Sequence, residues 1–230
     1  MRVLTHLTCS ILLVAFAATG ALKAASEAED RQETAAQVLE EVMGTPEKGI
    51  PLDLISKAHC VAIVPGVKKA GLIFAGRYGK GVVSCRGKNR MGWTGPSTVR
   101  IEGGSFGLQI GGSSTDFVLL VMNERGAEKL IESKFTLGAD AAVAGGPVGR
   151  TATAQTDAQM HAQILSYSRS RGAFAGISLD GSTLRPDDDD NKAIYGKAVT
   201  PKEILSGAVP APASSKHLID TLTKYSSAEH

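Results

Sequence analysis

The stretch KAHCVAIVPGVKKAGLIFAGRYGKGVVSCR, residues 57–86, decides the fold. Its first apolar run, CVAIV (60–64), is too short for a buried helix, and Pro65-Gly66 closes it, so it reads as a strand. The following AGLIFAGRYGKGVVSCR (70–86) carries glycines at 71, 76, 79 and 81 among β-branched and aromatic residues. That composition reads as two strands joined by a tight turn near Gly79-Lys80-Gly81.

Working outward, the pattern on the N-terminal side changes period. Ala35, Val38, Leu39, Val42 and Met43 recur at helical spacing within residues 27–43, with Glu33, Glu40 and Glu41 off that stripe. Gly44 ends this helix, and a short one over 52–58 leads into the strands. On the C-terminal side, VRIEGGSFGLQIGG (99–112) reads as a further hairpin and DFVLLVM (116–122) as a buried strand. Asn123 caps a helix over 124–133. Val143 and Val148 in the glycine- and alanine-rich 138–154 point to packed strands. Residues 164–170 alternate, and FAGISLDGSTL (174–184) is strand around a turn at Asp180-Gly181. Asp187–Asp190 reads as a solvated acidic loop, since the spacing that calcium requires is missing. Thr200-Pro201-Lys202-Glu203 is a capping box with proline at the first helical position. AVPAPASS (208–215) reads as a linker before a loosely attached helix over 216–225. Strands joined by short connections, with few helices, predict an α+β domain. Its core is a strongly curved, mostly antiparallel sheet or barrel, with an N-terminal helix and a few short helices.

Residues 1–24 stand apart. Arg2 precedes a nearly unbroken apolar run from Leu7 to Ala18, followed by small residues at Thr19, Gly20, Ala21, Ala24 and Ala25. This is the pattern of a secretory signal peptide, and the run falls short of the ~20 residues of a comfortable membrane span. The expected organisation is therefore 1–24 signal peptide, 27–207 domain, and 208–230 linker and tail. The expected localisation is periplasmic or outer-membrane-associated. An oxidising compartment permits Cys60 and Cys85 to bridge; the alternative is two buried thiols. The whole chain has 25 basic and 23 acidic residues, and Arg2 and Lys23 leave with the leader, so bulk charge gives no support for nucleic acid. The charge is nevertheless polarised. Residues 57–100 hold nine basic residues and no acidic one, while 26–56 hold eight acidic residues against Arg31 and Lys48.

KAHCVAIVPGVKKAGLIFAGRYGKGVVSCR, GGSFGLQIGGSSTDFVLLVMNERG, KFTLGADAAVAGGPVG and SYSRSRGAFAGISLDGS together, in that order, resemble a SYLF domain across roughly residues 30–207. The resemblance implies binding to phospholipid membranes, with phosphoinositides the ligands of eukaryotic members and actin a partner of some fungal ones. It also implies a stand-alone, exported lipid-binding type among bacterial relatives, and no catalysis. The acidic segment ahead of the core departs from the amphipathic N-terminal helix associated with insertion in eukaryotic members.

The candidate lipid-binding residues are Lys68, Lys69, Arg77, Lys80, Lys88 and Arg90. Each is placed at a strand end or loop, where cations converge on one edge and attract anionic headgroups, about 1 kcal/mol apiece. The alternative is a solvated face paired with acids elsewhere. Arg169 and Arg171 share a strand face and either extend the headgroup surface or, the preferred reading, are ordinary solvated positions. Trp93 is either an interfacial anchor or core. His59, His161, His217 and His230 are scattered without metal-ligand spacing, no phosphate loop or nucleophile elbow occurs, and no cofactor or metal is expected. Two functions follow: docking on anionic phospholipids, or a non-catalytic structural role that binds an acidic protein or a second copy through its acidic helix.

Overall fold

The computed structural model describes residues 2–45, 49–70, 74–106, 113–131, 134–149, 157–170 and 173–227. Helix α1 (Arg2–Met43) and the short α2 (Leu52–Lys57) precede the strands. β1 (Cys60–Ala70), β2 (Phe74–Cys85), β3 (Ser97–Phe106) and β4 (Ser113–Val121) come next, followed by α3 (Glu124–Ile131). The rest is β5 (Phe135–Thr136), β6 (Val143–Gly145), α4 (Asp157–His161), β7 (Ile164–Ser170), β8 (Ala173–Gly176), β9 (Thr183–Pro186), α5 (Asp188–Tyr195), α6 (Pro201–Leu205) and α7 (Lys216–Ser226). The nine strands form one sheet in the order β5-β9-β3-β2-β1-β4-β7-β6, with β8 also paired to β7. All pairs are antiparallel except β6–β7. The sheet curls into a half-barrel, so the expected α+β class and curved sheet are what the chain adopts.

The strands are apolar on both faces because both are covered. Val61, Ile63, Val82, Val118, Leu120, Leu165 and Tyr167 point toward α1, α2 and α7, where they meet Ala35, Leu39, Leu218 and Leu222. Their alternate neighbours, among them Ala62, Val64, Val83, Phe117 and Leu119, line the opposite face with Leu130, Phe135 and Leu137. Period-two alternation thus separates two cores rather than core from water.

Two strand boundaries differ from expectation. β1 does not stop at Pro65-Gly66; it bulges there, its register against β4 shifting between Val64 and Val67. Proline has no N–H for the ladder and is tolerated at a bulge. Gly66 takes φ +58° and donates its N–H to Asp116 Oδ1 at 2.8 Å. No turn forms at Gly79-Lys80-Gly81, because β2 runs straight through it. These glycines lie against the bulge instead: a Cβ on Gly81 would stand 2.2 Å from the Ile63 carbonyl oxygen, and one on Gly79 2.7 Å from a Val67 methyl. The hairpin expected over 99–112 falls partly outside the described residues, and its first half belongs to the single strand β3. β3 pairs with β2 on one side and β9 on the other, and residues 107–112 lie outside the described residues.

The C-terminal expectations also change. α7 is not loosely attached: Leu218 and Leu222 are buried, and Trp93, itself core, donates its indole N–H to Ser226 Oγ at 2.9 Å. The acidic run is not a solvated loop. Asp187 caps α5, accepting from the Asp190 N–H, and both carboxylates are buried. The capping box at Thr200 and Glu203 forms as read, and Asn123 Oδ1 accepts from the Gly126 N–H at 2.8 Å at the start of α3. Cys60 and Cys85 sit opposite each other on β1 and β2 and are joined by a disulfide.

Candidate functional site

Register fixes where the six candidate cations stand. Lys68 pairs across β1–β2 with Tyr78, and Lys69 with Arg77, near the end of the ladder that closes at Ala70–Gly76. Lys88 and Arg90 lie in a loop beyond Cys85, at the opposite end of the same ladder. From Arg77 to Cys85 is roughly 27 Å at about 3.4 Å per residue. The six therefore do not converge on one edge; they divide between two poles, with Lys80 between them.

Lys80 is committed inside the protein. Its Nζ lies 2.7 Å from Asp187 and 3.1 Å from Asp190, and Asp190 also accepts from Arg31 Nη1 of α1 at 2.6 Å. Burial pulls the Lys80 ammonium down, but the two aspartates outweigh it and its pKa ends above the ordinary value. This four-membered network fastens α1, β2 and α5 together. Arg77 is half-buried on the same face as Phe117, its guanidinium 5.5 Å from the centre of that ring and bonded to Ser182 Oγ at 2.8 Å. Burial lowers its pKa. Arg90 donates to the Lys57 carbonyl at 2.8 Å. Lys68 and Lys88 are exposed, and among the described residues neither carries an ion pair.

Arg169 is not an ordinary solvated position. It holds Asp116 through Nε at 3.0 Å and Nη2 at 2.7 Å, and it also pairs with Glu41 of α1. Arg171 and His230 lie outside the described residues. On the outer side of α1, His217 of α7 places Nδ1 2.8 Å from Glu33 Oε2 and Nε2 3.2 Å from Glu40 Oε1. The hydrogen bonds to Glu33 and Glu40 raise the His217 pKa, and Glu33 is lowered in return. So Glu33, Glu40 and Glu41 of the acidic helix each have a partner within the chain.

What remains outward at the first pole is Lys68 beside Tyr78, a tyrosine 48% exposed. Both line an open groove of about 460 Å³ between the sheet and the Glu27–Thr34 part of α1. Sequence reasoning passed over Tyr78; the signal it carried was a lone aromatic between Arg77 and Lys80. Pairing with acids elsewhere was the stated alternative, but the sequence could not name the partners, because pairs such as Arg31–Asp190 are formed across most of the chain. Among the described residues, no group of three or more His, Cys, Asp or Glu is placed to hold a metal ion. Nor is any helix among them long and apolar enough to cross a membrane.

Comparison with known proteins fixes the lineage. The family described as "Ysc84: Las17-binding protein actin regulator" matches residues 102–225. Protein YSC84 of Saccharomyces cerevisiae is 36% identical over 176 residues, covering 75% of this chain. This chain belongs to the Ysc84, or SYLF-domain, family. The SH3 domain-containing YSC84-like protein 1 of Homo sapiens is 35% identical over 184 residues, 78% of this chain and 52% of its own length. LAS seventeen-binding protein 3 of Saccharomyces cerevisiae is 37% identical over 166 residues, 71% of this chain and 36% of its own. The chain thus spans about a third to a half of the curated relatives it matches. Those relatives are named for binding or for their domains, not for catalysis, and the family match extends across the 208–215 segment into α7.

Proposed function

We propose that this chain is a non-catalytic docking module that binds an anionic partner surface through the Lys68–Tyr78 pole of its sheet. The observation that carries the reading is the contrast in charge use. Lys80, Arg77 and Arg169 are engaged internally, while Lys68 stands exposed beside a half-exposed tyrosine on a rigid β-ladder. An acidic protein surface is the partner with most support, since the family's description and one yeast relative's name give a protein partner. A second reading, docking on anionic phospholipid headgroups, is favoured by Tyr78 itself. A tyrosine with an apolar body and polar tip, next to a lysine, suits the membrane–water interface. The reading includes export by residues 1–24 to the periplasm or outer-membrane surface, and the Cys60–Cys85 disulfide supports an oxidising destination.

The test is co-sedimentation of the protein lacking residues 1–24. One arm uses purified actin filaments and the other uses vesicles of equimolar phosphatidylcholine and phosphatidylglycerol, each at low and high salt. Pelleting with one probe, weakened by salt and by Lys68→Glu, assigns the partner class. Binding that ignores Lys68→Glu removes the site, and no pelleting in either arm withdraws both readings as they stand.

A further inference from the structure

The second pole has features of its own. Residues 87–92 form a closed loop, with the Gly87 N–H bonded to the Gly92 carbonyl at 3.1 Å and the Met91 N–H to the Lys88 carbonyl at 3.2 Å. Asn89 and Arg90 both lie in the left-handed region, at φ 57° and 61°. Asparagine tolerates that conformation; arginine does so at a steric cost. What the backbone accomplishes there is exposure. Met91 is 73% exposed, the most exposed large apolar side chain among those described, and it stands beside Lys88 and Arg90. A protruding methionine flanked by cations, with no acidic residue anywhere in 57–100, does not resemble a protein hot spot, which needs a pocket around it. It matches a bilayer interface, where the thioether enters the acyl boundary and the cations meet headgroups.

We infer that the 88–91 loop is a second membrane-docking foot, and that the chain bridges two anionic bilayers, one at the Lys68–Tyr78 pole and one at the Lys88–Met91 pole. The inference rests on the phospholipid reading of the first pole. The β1–β2 ladder between the poles is pinned by the Cys60–Cys85 disulfide at one end and by Lys80 on Asp187 and Asp190 along its length. That makes it a spacer rather than a tether.

The test mixes two populations of vesicles of equimolar phosphatidylcholine and phosphatidylglycerol, carrying donor and acceptor lipid dyes, with the protein lacking residues 1–24. Energy transfer between populations reports bridging; co-sedimentation reports binding. The double variant Lys88→Glu/Met91→Asp spares Arg90 and its bond to Lys57, and unchanged circular dichroism and melting confirm that it folds. It is expected to pellet with vesicles through the first pole but to lose bridging. Lys68→Glu is expected to show the mirror-image loss, with its own affinity lowered about fivefold or more. Wild-type protein that binds without bridging overturns the inference and leaves first-pole docking intact. Bridging that survives the Lys88→Glu/Met91→Asp change also overturns it, since clustering would then come from paired copies using the first pole alone. Absence of any vesicle binding removes both readings together.

Discussion

Replacing Lys80 by methionine separates a structural cation from a docking one. The change keeps the stem that packs along β2 and deletes the ammonium that Asp187 and Asp190 share. Asp187 and Asp190 side chains are only 5% and 11% exposed, so two carboxylates are left in a poorly solvated site with Arg31 as the nearby counter-charge. Breaking a buried pair by removing one partner costs about 3–5 kcal/mol. Arg31 still holds Asp190 and Lys80 is itself about a third exposed, which brings the expected loss to roughly 2–3 kcal/mol. With a urea m-value of about 2 kcal/mol/M, that is a fall in midpoint of roughly 1–1.5 M at unchanged m. The assay is urea unfolding followed by Trp93 fluorescence, run beside Lys68→Met, whose midpoint should move by less than about 0.25 M because surface substitutions cost little. Equal midpoints for the two variants would refute the claim that the network is a fastening. It would return Lys80 to the pool of docking residues.

Three further outcomes are expected. Reducing the Cys60–Cys85 bond, or replacing both cysteines by serine, reopens a sequence separation of 25. This should cost about 3.5 kcal/mol in unfolding free energy by the loop-closure account, and equal stability with and without reductant would contradict it. His217→Ala should remove a pH-dependent contribution of on the order of 0.5 kcal/mol, since the pair is largely exposed. Because His217 is raised in the fold, its contribution is whole below its ordinary 6.5 and fades as pH rises through the folded value; because Glu33 is lowered, its share fades as pH falls through its own folded value. The difference between wild type and variant should therefore peak in mildly acidic solution, and a flat difference from pH 5 to pH 9 would dismiss the clamp. Ending the chain at Gly207 strips Leu218, Leu222 and Ser226 from α1, α2 and Trp93. A red-shifted, cooperatively less stable protein is expected, whereas a native-like melt would show that α7 is an accessory.

The sequence made local grammar visible and distant partnership invisible. The helix over 27–43, the capping box at Thr200 and the strand at 164–170 were legible because their signals lie within one turn or a few residues. The Gly79–Gly81 turn was misread because glycine marks both a turn and a close approach, and only the bulge on the neighbouring strand tells them apart. Asp187–Asp190 was misread for a related reason. Four consecutive aspartates look solvated until two of them are found facing Arg31 and Lys80 from more than a hundred residues away. The candidate cations were expected to converge on one edge and do not. Strand register, which a one-residue slip would invert, put them at two ends.

Charge already neutralised inside a fold cannot be offered to a partner, and in this chain that rule narrows the docking surface. Of the basic residues between 57 and 100, Arg86 is stacked 4.4 Å over Trp93 and bonded to the Ser56 carbonyl, and Arg100 pairs with Glu102 at 3.1 Å. Lys80 belongs to its aspartates, and Arg77 lies over Phe117. Lys57 pairs with Asp53, a weak exposed pair that a partner could displace. The internal pairs are directional: they tie α1 and α5 to the sheet, so cations that a bulk count assigns to ligand binding hold the half-barrel together. The outward remainder includes Lys68 with Tyr78 at one pole and Lys88 with Met91 at the other. In each case a cation stands next to an exposed side chain with substantial apolar surface. A surface selected only for solubility has no need to pair them so. A surface that docks does, because the charge gives approach and orientation while the apolar neighbour supplies contact that salt does not screen. Binding at either pole should therefore weaken with salt yet leave a residue at high ionic strength, and that residue should vanish with Tyr78→Ser or Met91→Ser rather than with the neighbouring lysine.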